Sequence, residues 1–136
     1  MVRQRACSAP ESGQELIEFA LVVPLLMLIL FGVLDLGRAF YASITIANAA
    51  REGARYAMFY PGDTAGIRMA TEREAQNSGV DLTDPAKATI DVGCPLGCGR
   101  GLPIRVTVTY EFQLILTMVI PSGKIDLMQY TEMMVP

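Results

Sequence analysis

Residues 13–34 read GQELIEFALVVPLLMLILFGVL, and this stretch decides the architecture. Between Leu16 and Leu34 the one charged residue is Glu18. As a helix these residues span roughly 28 Å at 1.5 Å per residue, enough to cross the hydrocarbon core of a bilayer. Upstream, residues 1–13 carry Arg3 and Arg5, then Ser8, Ala9, Pro10, Ser12 and Gly13, with no apolar periodicity. They read as a short basic leader. Arg3 and Arg5 favour an N-terminus in the cytoplasm and a C-terminal part outside, a bias that Arg38 on the far side weakens. A cleaved secretory signal fits poorly, because the apolar run is long for an h-region. The Ala-x-Ala-like site, Ala47-Asn48-Ala49, also lies far beyond Asp35 and Arg38.

Helical character continues past the apolar run. LDLGRAFYASITIANAAREGARYAMFY has no Pro before Pro61, is rich in Ala, and carries Arg51, Glu52 and Arg55 on a polar side. One helix over 14–60 is therefore expected, with its transmembrane part at 16–34 and a kink or local unwinding at Pro24, which removes a backbone donor. Pro61-Gly62-Asp63 ends it, and residues 61–136 form a small extracytoplasmic head. TAGIRMATEREAQ reads as a short exposed helix stopping near Asn77-Ser78-Gly79. The period then changes to two. Lys87 to Val92, Pro103 to Phe112 and Lys124 to Val135 read as three strands of an antiparallel sheet with one face free to pack on the helix. Leu114 to Ile120 is an apolar run that the pattern leaves unassigned. The fold class is thus α+β: a long kinked N-terminal transmembrane helix continuing into a head with a short helix and a three-stranded sheet.

The chain of 136 residues has a formal net charge of −3 and contains no His and no Trp. Without His, Ser-His and Cys-His nucleophile pairs and His-containing zinc sites are excluded. No run of Lys or Arg is long enough to follow a phosphate backbone, so nucleic acid is not an expected partner. Asp81, Asp84 and Asp91 lack the spacing of a calcium loop and read as solvated loop acids. No cofactor, metal or catalytic constellation is expected, and the chain does not read as an enzyme.

The segment GQELIEFALVVPLLMLILFGVLDLGRAFYASITIANAAREGARYA resembles the N-terminal region of TadE-like proteins, pilin-like components of tight-adherence pilus and secretion systems. The residues that carry the likeness are Glu18-Phe19-Ala20, Pro24, Phe31-Gly32, Asp35-Leu36-Gly37-Arg38 and Asn48-Ala49-Ala50-Arg51-Glu52-Gly53-Ala54-Arg55. Gly13-Gln14-Glu15-Leu16-Ile17-Glu18-Phe19 is similar to a prepilin-peptidase site, in which the cut follows a Gly and a Glu stands fifth in the mature chain. The resemblance implies cleavage between Gly13 and Gln14 and a bacterial inner-membrane location with one span. Its implied partners are prepilin peptidase, other pilin-like subunits, an inner-membrane secretion platform and the lipid bilayer. It also gives Glu18 an assembly role. A carboxylate in the apolar layer costs about 2.5–3.5 kcal/mol at the centre and less near the edge. The amine of a cleaved Gln14, its own or a neighbour's, would attract it and set axial register. The plainer account is an acid in the first helical turn, helped by the macrodipole.

Three further features stand on the residues alone. Ala49, Gly53 and Ala57 form a small-residue series that lets another backbone approach, either the chain's own head or a neighbouring subunit. Asp35 and Arg38, three apart, read as a solvated ion pair at the outer membrane face. Cys94 and Cys98 in CPLGC lie on the side expected to be oxidising, and Pro95 and Gly97 favour a turn between them. A structural disulfide is the preferred reading there. Cys7 falls in the leader. The functional expectation is a minor pilin or assembly component. The alternatives are a major filament subunit or, in another class, a membrane-tethered binding or redox module that uses the CPLGC loop.

Overall fold

The computed structural model describes residues 12–116 and 122–136. Most of the expected leader, with Arg3, Arg5 and Cys7, and part of the apolar run before Pro121 lie outside those residues. Helix α1 covers Ser12–Phe59 and helix α2 Thr64–Asn77. Strands β1 (Ala88–Gly93), β2 (Pro103–Gln113) and β3 (Lys124–Met134) form one antiparallel sheet in the order β1-β2-β3. Each element lies within a residue or two of its expected bounds. α1 is helical without a break through Pro24, so no local unwinding occurs there. At 1.5 Å per residue it is roughly 70 Å long.

α1 has two different halves. Every residue from Gly13 to Leu34 is exposed except the half-buried Val23. Beyond that point one face is buried: Ala42, Ile46, Ala49, Ala50, Ala54 and Ala57 recur at spacings of three and four and sit in the core. Small side chains let the helix axis lie close to the sheet. Ile104, Val106 and Val108 on alternate positions of β2 meet it, while Arg105 between them points to solvent. β3 is held to β2 in register, Arg105 opposite Glu132, and the Arg105 Nε donates to the Glu132 Oε1 at 2.6 Å. The head's core is therefore shared with α1.

α2 is closed at both ends. The Asp63 carboxylate accepts from the Gly66 N–H at 2.9 Å and from the Tyr56 hydroxyl at 3.0 Å, which caps α2 and ties it to α1. At the other end Gly79 takes φ +79°, the Val80 N–H donates to the Ala75 carbonyl and the Gly79 N–H to the Gln76 carbonyl, each at 3.0 Å. This pair of bonds is a Schellman closure, with Val80 and Ala75 both buried. The loop acids serve as turn formers. Asp81 accepts from the Thr83 hydroxyl at 2.6 Å and its N–H at 2.9 Å, and these bonds, the hydroxyl's first, hold its carboxyl below the ordinary range.

Candidate assembly face and loop clamp

The first turn of α1 holds Gly13 and Gln14 on exposed positions, and the Gln14 amide lies 3.4 Å from the Glu18 Oε1. Four residues is one helical turn, so positions 14 and 18 share a face. Glu18 is exposed along with the apolar side chains around it. A protease needs extended backbone, so cutting after Gly13 requires this turn to unwind. A terminal turn does that at low cost, and among the described residues a Cβ on Gly13 would meet nothing within 4 Å outside its own stretch of helix backbone.

Ala49, Gly53 and Ala57 are buried by the chain's own head. A Cβ on Gly53 would overlap the Thr71 Oγ1 of α2 and stand 3.4 Å from Val106 of β2. Thr71 is itself fully buried and donates its hydroxyl to the Ile67 carbonyl at 2.9 Å. These three positions therefore set the approach of α1 to α2 and the sheet. On the other side of α1, Leu36, Phe40 and Ile44 recur every fourth residue and are exposed, Phe40 to 68%. They extend the apolar surface of the membrane segment beyond Asp35 by nine residues, roughly 13 Å of axial rise.

Asp35 is not the solvated partner that its spacing from Arg38 suggests. It is 4% exposed, and its carboxylate accepts from the Ile115 N–H at 3.0 and 2.9 Å and from the Leu116 N–H at 2.8 Å. Arg38 does reach it, Nη1 to Oδ1 at 3.0 Å, and stacks its guanidinium 5.0 Å from the Phe112 ring centroid. The correction has a simple cause: Asp35 lies four residues before Ala39 and seven before Ala42, on the stripe that faces the head. The stripe marks the face that the head covers, but not which groups the carboxylate meets there. The residue clamps the start of the β2–β3 connection to α1, a contact across 80 residues of chain. Leu114 is held in turn by its N–H to the Gly123 carbonyl at 2.9 Å.

At the far end of the head Cys94 and Cys98 are joined, with their Cα atoms 5.2 Å apart, and Leu96 between them is 71% exposed. Gly97 takes φ +106° to close this loop. Among the described residues no group of three or more His, Cys, Asp or Glu side chains is placed to hold a metal ion.

A single exposed apolar helix, long enough to cross a membrane and rooted in a small α+β head, defines a pilin-like fold. Residues 13–55 match the model of the family described as TadE-like protein, so the similarity covers α1 from the start of the apolar run to just before the Tyr56–Asp63 tie. No curated protein and no solved structure matches the chain.

Proposed function

We propose that this protein is a minor pilin or assembly component of a tight-adherence pilus or secretion system, cut by prepilin peptidase between Gly13 and Gln14. It sits in the bacterial inner membrane with its N-terminus in the cytoplasm and its head outside. The observation that carries the reading is the exposed stripe of Leu36, Phe40 and Ile44 on a helix whose opposite side is buried by its own head. A bilayer can cover the apolar surface up to Leu34, but a stripe running roughly 13 Å further calls for a protein neighbour. A second pilin-like helix fits it, and an inner-membrane secretion platform would hold such subunits before assembly. Glu18, one turn from the new amine of Gln14, sets the axial register of that packing. The family match over residues 13–55 supports a pilus-related role and coincides with the stretch that bears these features.

The test is a mass spectrum of the protein purified from membranes. A chain beginning at Gln14 is expected, and Gly13→Phe should leave the full-length chain in the membrane. Full-length protein in the wild-type assembly would overturn the reading.

A further inference from the structure

A niche of about 260 Å³ opens where the head meets the membrane helix, between Leu28 and Gly32 of α1 and Leu114, Leu116 and Ile125 of the head, with Leu36, the membrane-side end of the exposed stripe, at its flank. Its position along α1 is informative. Leu28 and Gly32 lie seven and three residues before Asp35, roughly 10 Å and 4.5 Å deeper along the helix axis. Both belong to the segment expected to lie in the bilayer. Part of the head therefore descends beside the membrane helix to a depth that lipid occupies. There Leu114 and Leu116 line the niche, and Ile115, 55% exposed, points outward.

The backbone chemistry at this point matches that surrounding. Non-helical backbone is tolerated at membrane depth only where its polar groups are satisfied within the protein. The Ile115 and Leu116 N–H groups are satisfied by the buried Asp35 carboxylate, and the Leu114 N–H by the Gly123 carbonyl. Arg38, half exposed above them, is placed to reach the headgroup layer with its guanidinium while its stem lies along Phe112.

On the reading that α1 spans the membrane, we infer that Leu114, Ile115 and Leu116 form a second membrane contact. This shoulder of the head is buried in the outer edge of the bilayer, and lipid acyl chains fill the niche against Gly32. The occupant is lipid rather than another protein because the niche is continuous with the lipid-facing surface of Leu16 to Leu34. The N–H groups of Leu114, Ile115 and Leu116 are also already satisfied and offer no donor to a protein partner. The head would then be held at a fixed height and tilt over the membrane.

The absence of Trp makes a direct test available. Single-Trp variants of the full chain, Ile115→Trp, Leu26→Trp and Leu96→Trp, are reconstituted in vesicles of phosphatidylethanolamine and phosphatidylglycerol, with and without mid-chain brominated lipid. Trp at 26 reports the span and Trp at 96 the aqueous tip. The shoulder predicts blue-shifted emission at 115 that loses about half its intensity to brominated lipid, as expected for burial of roughly 5–10 Å, and that does not change when protein is diluted in lipid. Quenching at 26 without quenching at 115 would overturn the shoulder while leaving the span intact. Loss of quenching at both 26 and 115 would remove the span and the shoulder together. A blue shift at 115 that is insensitive to brominated lipid and fades on dilution would assign the site to a second protein copy, against the inference.

Discussion

Two carboxylates on one helix, Glu18 and Asp35, meet opposite fates because of what lies beside them. Glu18 is exposed, and among the described residues its one hydrogen-bond partner is the Gln14 amide, so the proposed assembly role asks its charge to find a partner outside its own turn. Glu18→Gln keeps the shape, removes the charge and makes insertion easier. Cleavage and membrane insertion should persist while processed monomer accumulates. If the charge pair contributes about 2 kcal/mol after desolvation, partner incorporation falls about 30-fold, whereas Glu15→Gln has little effect. Quantifying cross-linked complexes from membranes checks this, and equal assembly of both variants would refute the register role. Asp35 instead accepts three bonds from two backbone N–H groups, those of Ile115 and Leu116. Asp35→Ala leaves them unpaired and should lower head stability by about 1–3 kcal/mol, read as a lower melting temperature. An unchanged melt would show that the loop finds other acceptors.

At the scale of elements, the contact between α1 and α2 depends on the missing side chain at Gly53. Gly53→Ala would raise helix propensity on an exposed helix, yet here the added methyl overlaps the Thr71 hydroxyl. The expected outcome is destabilisation by about 1–3 kcal/mol. Thr71→Ala in the Gly53→Ala background should recover part of that loss, and the double-mutant cycle measures the coupling between the two positions. Additive effects would show that the helices do not touch there. The strands illustrate a more legible case. Ile104, Val106 and Val108 alternate with Arg105 and Thr107, and period two translates directly into a buried and an outer face. The small-residue stripe of α1 was equally visible, but a stripe records only that a close neighbour exists. Whether that neighbour is the chain's own head or another subunit depends on where the chain turns after Pro61.

On the scale of the whole molecule, the head covers one side of α1 and leaves Leu36, Phe40 and Ile44 exposed, the face to which the proposed function assigns a pilin-like neighbour. Phe40→Asp should not change the melting of the isolated protein, since the side chain is 68% exposed. It should reduce co-purifying pilin-like subunits by roughly tenfold or more, as for a central interface aromatic. Wild-type assembly in this variant would move the subunit seam elsewhere. The sequence by itself determined the long apolar N-terminal helix, the order and type of the elements among the described residues, and the family likeness of residues 13–55, because these rest on local periodicity and short motifs. Only the tertiary structure decided the fate of Asp35 and the role of Leu114 to Leu116. A hydrogen bond between residues 80 positions apart has no local signature, and an acid three residues from an Arg reads as a surface pair until the fold brings a backbone over it.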